Sequence, residues 1–377
     1  MEYQRQAATT LGYYNLLTGP VAWRFSTGLQ MQYSDNVNLA QNPEADFIFR
    51  PDMDAEMLWP VTQNNVLNFS VIAGYSAYVV HPNLSSFFIT PGSELSFDVL
   101  VGNVVINLHD RPSITENNYD SPTAGANRTY VFLQNTAGTT ITWDLDRWVL
   151  QGNYDHINYV YLNANQQFPN GDSENMLLSA GARFYAKIVT GIEGGGSLIN
   201  YGQSSVAAVP NAIQWNAGAF CKAPITDYIS ARLDLGYTTF QPDGAVSANF
   251  GHASIMYFQF SIQHQINQFI GYSLSAGRSA DLEFNGQPYE YNFVQFQANW
   301  NIFKDCKLST PCWWRQGTEI YDPSVNFNQY SINANLTRTL TQKLSGTIGY
   351  QFIQETSNQS DLNYIANIVS LSFVYQF

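Results

Sequence analysis

A chain of 377 residues with only 12% charged and 15% aromatic positions is too aromatic for disorder and too poor in charge for a typical cytosolic enzyme. A formal charge of -13 with no Lys/Arg cluster argues against electrostatic binding to nucleic acid or to an anionic membrane face. The longest apolar stretches, around Val71 to Val80 and Val99 to Leu108, are interrupted by Gly, Asn or Ser and are far short of a spanning helix.

The first ten residues, MEYQRQAATT, contain no apolar run of the kind a secretory signal requires, so in an exported protein this numbering begins at a mature or engineered N-terminus. From residue 21 the pattern changes. In VAWRFSTGLQMQYS, residues 21–34, Val21, Trp23, Phe25, Leu29, Met31 and Tyr33 share one parity, and Arg24, Ser26, Gly28, Gln30, Gln32 and Ser34 share the other. Successive side chains of a strand point to opposite faces, so this is a two-faced β-strand. Residues 47–59 repeat it, with charges confined to the polar parity. Two-faced runs follow near 65–80, 94–101, 104–110, 129–143, 148–161, 175–188, 191–201, 212–222, 228–239, 253–263, 269–278, 289–302, 307–315, 328–338, 343–354 and 363–377. The apolar parity of 148–161 switches midway, as a bulge would cause, and 307–315 is the weakest run. The expectation is about eighteen strands, with sixteen as the runner-up.

Long polar connections alternate with short ones such as GN at 102–103 and TLTQ at 339–342. Loops at one end and tight turns at the other describe an antiparallel meander of the outer-membrane kind, with turns on the periplasmic side. The fold class expected is all-β, a transmembrane antiparallel up-and-down β-barrel. Residues 1–20 form an N-terminal segment on the periplasmic side, and 21–377 form one barrel domain.

Spacing bears on which face meets lipid. Trp23 and Tyr33 lie ten residues apart, as do Phe49 and Trp59. At about 3.3 Å per residue and a tilt of roughly 40°, that is about 25 Å along the membrane normal, the height of the band between aromatic girdles. The chain ends SLSFVYQF, with Leu371, Phe373, Tyr375 and Phe377 on one parity. A closing strand that faces lipid requires this pattern. Phe373, Tyr375 and Phe377 also resemble the terminal signal that barrel-assembly machinery reads in outer-membrane proteins.

The opening hairpin, YSDNV at 33–37 followed by DFIFRPDMDAEMLWP at 46–60, resembles that of the β-barrel porin family of Gram-negative outer-membrane proteins, some of them linked to exopolysaccharide export. The resemblance implies an outer-membrane location in contact with lipid and lipopolysaccharide. A homo-oligomer or a partner protein is left open.

If the apolar parity faces lipid, the other lines a wet pore, because barrels of this size are too wide for side chains to fill. Pore-lining candidates are Arg24, Arg50, Arg183, Lys187, Lys222 and Arg232 with Asp52, Asp54, Glu56, Asp98, Glu193 and Asp234. Asp52, Asp54 and Glu56 form one row, and a first loop centred near residue 40 sets Arg24 opposite Glu56. Two readings stay open: a cation-selecting row, or a salt-bridge ladder to Arg24 and Arg50. The connection at 111–128 resembles in place and length the third loop that narrows general porins, with Glu116 and Asp120 as constriction acids; a plain surface loop is the alternative. Asp35, Glu44, Asp172, Glu174, Asp243, Asp281, Glu283, Glu319 and Asp322 are read as loop acids, solvated or bridged through divalent cations to lipopolysaccharide.

Five scattered histidines give neither a metal pair nor a nucleophile motif. No enzyme, metal or cofactor is expected. Cys306 and Cys312 are either bridged or free. Passive diffusion of small hydrophilic solutes is the leading function; an exopolysaccharide conduit and a structural or partner-sheathing barrel are the alternatives.

Overall fold

Val21 to Ser34 carries an aromatic or aliphatic side chain at nearly every second position and no proline, so an extended backbone fits it well. The computed structural model describes residues 14–117, 122, 130–162, 170–184, 187–202, 210–243, 251–282, 287–303 and 305–377. In it this stretch is one strand of a single sheet of 20 strands. The first half runs β1 (Leu16–Thr18), β2 (Val21–Ser34), β3 (Asp46–Pro60), β4 (Asn65–Tyr78), β5 (Ser86–Ile89), β6 (Glu94–Val101), β7 (Val104–Asn117), β8 (Tyr130–Asp144), β9 (Trp148–Tyr161) and β10 (Gly171–Phe184). The second half runs β11 (Ile188–Tyr201), β12 (Asn211–Pro224), β13 (Ile229–Asp243), β14 (Ala253–Gln265), β15 (Ile270–Leu282), β16 (Pro288–Phe303), β17 (Cys306–Glu319), β18 (Asn326–Thr339), β19 (Leu344–Ser357) and β20 (Tyr364–Gln376).

With the short β1 and β5 set aside, eighteen antiparallel strands form a closed barrel, because β2 pairs with both β3 and β20. At the seam β20 covers Ser26 to Ser34 of β2, and β1 takes the next stretch of the same edge, Leu16 opposite Trp23 and Thr18 opposite Val21. Asn15 bonds both the amide and the carbonyl of Phe25, and the Phe377 amide donates to that carbonyl as well. No stretch of β2 is left as an open edge, which matters where lipid offers no hydrogen bonds. Of the N-terminal segment 1–20, residues 14–18 therefore lie along the turn end of β2; residues 1–13 lie outside the described residues.

Burial separates the two parities. Leu29, Tyr33, Phe49, Met53 and Trp59 are exposed on the outside, as are Tyr375 and Phe377, while Ser26 and Ser34 on the other parity of β2 are buried inside. Phe373 shares the outer parity with Tyr375, and Trp23 is half-buried there, its indole donating to the Thr18 hydroxyl at 3.0 Å.

The strands are longer than hydropathy suggests. β7 runs to Asn117 and not 110, β17 to Glu319 and not 315, and β10 lies at 171–184 and not 175–188. Asp172, Glu174, Asp243, Asp281 and Glu319 therefore sit on strand ends and not in loops, while Glu283 is outside the described residues. Alternation stops where a strand leaves lipid, but its hydrogen-bond ladder continues. β9 has no bulge, since its registers with β8 and β10 are continuous. Its switch of parity marks Tyr161 turning inward to pack on Tyr130 and Phe132. Cys306 and Cys312 are both free, six positions apart on one strand, about 20 Å and beyond disulfide reach.

Candidate functional site: the barrel lumen

The register sets Arg24 opposite Glu56, and their side chains meet at 2.6 Å; the guanidinium is 3.9 Å from Asp54, which also accepts from Ser26 at 3.0 Å. Asp52 faces Gly28, whose missing Cβ leaves room for the carboxylate. The three acids of β3 thus stand in one inward row with a single arginine drawn into it.

Arg50 leaves that row. Its guanidinium pairs with Glu116 at 2.9 Å, and Glu116 also accepts from the Tyr78 hydroxyl at 2.7 Å and from Ser86 at 3.0 Å. Glu116 is therefore a strand residue of β7 clamped to β3, β4 and β5, and not an acid free in a loop. Asp120 lies outside the described residues.

Further round the wall the charges neutralise one another. Asp98 accepts from Asn68 at 3.2 Å and from Asn107 at 2.7 Å. His109 reaches Asp155 at 2.8 Å across the intervening β8. Arg232 pairs with Asp234 at 2.7 Å and with Glu193 at 3.5 Å. Glu193, Gly218, Gly236 and Tyr257 form one row across four strands, and Tyr257 lies over both glycines with its hydroxyl bonded to Glu193. A ring lying flat along the wall takes little from the bore. Lys222 is exposed opposite Arg232 in the register. Arg183 and Lys187 stand at the turn end, where Arg183 binds Asp144 at 3.0 Å and Lys187, in a turn, binds Asp227 at 3.1 Å.

The arc from β14 to β16 differs. Its inward parity carries Gln259, Ser261, Gln263 and Gln265 on β14, Gly271, Ser273, Ser275 and Gly277 on β15, and Gln295, Gln297 and Asn299 on β16. These groups are uncharged, and five of the amides are directed into the open bore.

At the loop end the first connection folds inward, while most of the third, to which sequence reading assigned the constriction, lies outside the described residues at 118–121 and 123–129. Asp35 accepts from the backbone and the side-chain amide of Asn367, both at 2.7 Å, and Asn36 donates to the carbonyls of Ala40 and Ile365, both at 2.9 Å. Leu39, at φ 47, is thereby pressed onto the inward residues Ile353, Ala366 and Ile368. The signal was present in Val37 and Leu39, two apolar side chains at alternate positions in an otherwise polar loop. Behind it Asp46 accepts from the amides of Val79, Val80 and His81, and the His81 ring bridges Asp46 at 3.0 Å and Glu44 at 3.1 Å. On the far side Ile320 and Tyr321 of another connection pack on Phe240, Ile255 and Ala280, and burial pushes the Tyr321 hydroxyl pKa up. Among the described residues no group of three or more His, Cys, Asp or Glu side chains is placed to hold a metal ion.

No family model matches the chain, and no curated protein does. Solved structures do. The outer membrane protein opdK from Pseudomonas aeruginosa superposes with a TM-score of 0.52 at 12% identity, over 94% of this chain and 98% of that one. The fold is that of opdK. OccK2 (OpdF) from the same organism gives 0.53 at 9% identity, and OccK5 (OpdH) gives 0.51 at 11%, each over 94% of this chain and 98% of its own. The opdK-like barrel agrees with the porin architecture that the opening hairpin resembles. At such identities the likeness to opdK carries the fold, and the lumen must be read from its own residues.

Proposed function

We propose that the chain is a bacterial outer-membrane channel through which small hydrophilic solutes diffuse passively, with its turns in the periplasm and its loops outside. The observation that carries this reading is the inward parity. Through the middle of an eighteen-strand bore it carries Ser, Gln, Asn, Asp and Glu, with buried apolar residues such as Phe240, Ile353 and Ala366 towards the loop end, while the outward parity exposes Leu, Phe, Met and Trp. OpdK is known with vanillate and OccK2 with glucuronate, both solutes of the size such a bore passes.

In this reading the Asp52, Asp54 and Glu56 row sets a mild cation preference, Trp23, Tyr33, Phe49 and Trp59 sit at the girdles, and the outer face meets lipid and lipopolysaccharide. Phe373, Tyr375 and Phe377 serve the assembly machinery. No catalytic step is involved. Neither the fold nor the lumen adds support for exopolysaccharide export. Swelling of liposomes carrying the refolded barrel tests the proposal: arabinose and glucose should enter rapidly and a large dextran should not. Liposomes that fail to swell in any small sugar would refute it.

A further inference from the structure

The inward residues of β14, β15 and β16 fall into four registered rungs: Gln259, Gly277 and Phe293; Ser261, Ser275 and Gln295; Gln263, Ser273 and Gln297; Gln265, Gly271 and Asn299. The middle strand offers only glycine and serine, so it forms a floor, and the flanking strands set amides opposite one another on the two lower rungs, Gln263 with Gln297 and Gln265 with Asn299, while Gln259 faces Phe293 and Gln295 faces Ser261. Adjacent strands lie about 4.8 Å apart, which makes the trough about 10 Å from wall to wall, and successive rungs are about 6.6 Å apart along the strands. A cavity of about 980 Å³ opens over the two lower rungs.

Two features separate this trough from the rest of the lumen. Its amides are unengaged, for among the described residues none bonds the side chains of Gln259, Gln263, Gln295, Gln297 or Asn299, whereas Gln265 is tied to the Ile270 carbonyl at 3.2 Å. The rungs also carry no charge. Arg232 on the neighbouring β13 is held by Asp234 and Glu193, and Arg315 on β17 lies over the Trp313 ring at 4.8 Å. The charges of this cavity stand at its turn-end rim, below the rungs: Lys307, opposite Asn301, and the compensated pair of Lys187 and Asp227.

A primary amide offers both donors and an acceptor, and a pair of them across a narrow floor matches the vicinal hydroxyls of a sugar ring. A carboxylate solute would instead need a cation within the rungs. We infer that the trough binds neutral saccharides in transit, a short glucan being the type ligand. The inference rests on the channel reading above and names its substrate class.

Single-channel recording in planar bilayers, with maltotriose as the probe, tests it. The wild-type barrel should show saturable, partial current block by maltotriose and none by glucuronate at equal concentration. The Gln263→Ala/Gln297→Ala variant should need roughly tenfold more maltotriose at similar conductance, as removal of paired hydrogen bonds implies. Ser273→Phe, which fills the floor, should abolish block, and Gln32→Ala outside the trough should leave it unchanged. A barrel that conducts ions without responding to maltotriose, or that glucuronate blocks equally well, overturns the inference and leaves the channel standing. A folded barrel that passes no current overturns both.

Discussion

Arg50 and Glu116 meet at 2.9 Å although β4 and β5 separate their strands in the sheet. The pair closes a place where the wall is made of two pieces: β4 binds β6 over Asn65–Ser70 but β5 over Ala73–Ser76, and β5 meets β7 at a single register pair, Ile89 with Ile114. Glu116 is nearly buried, and its three contacts, to Arg50, Tyr78 and Ser86, replace the ladder missing there. Glu116→Gln should leave Arg50 without its counter-charge and cost about 1–3 kcal/mol. The loss should be read as a lower urea midpoint of the micelle-bound barrel, with ion selectivity little changed.

Gly138 is the register partner of both His109 and Asp155, and it lets those side chains join above it at 2.8 Å. A Cβ at Gly138 would overlap the Asp155 carboxylate and stand 2.9 Å from His109 Nε2. Gly138→Ala is expected to cost about 2–4 kcal/mol, through overpacking and a broken buried contact. Asp155→Ala/Gly138→Ala should recover only part of it, since the carboxylate overlap goes while the overlap with the Tyr154 backbone carbonyl stays. Urea unfolding of both variants measures the difference.

On the channel reading, the inward-folded first loop is the constriction at the mouth. Asp35→Ala/Asn36→Ala removes its bonds to Asn367 and Ile365 and should release Leu39 from Ile353. Single-channel conductance should rise, and proteases should cut between residues 37 and 44 in the folded barrel. Unchanged conductance would show that the loop packs without constricting.

In the acid row Arg24 is, among the described residues, the cation paired with Asp54 and Glu56 of β3. Arg24→Gln should therefore raise the permeability of cation over anion, and Asp52→Asn/Asp54→Asn should lower it. Reversal potentials in a potassium chloride gradient read both signs. Identical potentials in all three proteins would leave the row a purely structural ladder.

Much of the wall was legible in the sequence because lipid on one side and water on the other impose a period of two, as Leu29, Met31 and Tyr33 against Gln30, Gln32 and Ser34 show. The same physics explains what was hidden. Beyond the lipid band both faces of a strand meet polar or packed surroundings, so Glu116 and Asp172 read as loop residues although their backbones remain paired. Arg24 with Glu56 could be found from the centre of one hairpin, since adjacent strands share a register. Arg50 with Glu116 crosses two intervening strands and His109 with Asp155 one, and a single sequence does not show which distant residues a closed wall brings together.

On the channel reading, one parity of the wall lines a water-filled conduit and the other meets lipid. With Cys221, Cys306 and Cys312 replaced by alanine, single cysteines at the adjacent positions Ser275 and Leu274 test it most directly. A charged, water-soluble thiol reagent added during single-channel recording should reduce the current of Ser275→Cys in a discrete step and leave Leu274→Cys unaffected. Current that falls equally in both, or a Leu274→Cys channel that alone responds, would contradict the account.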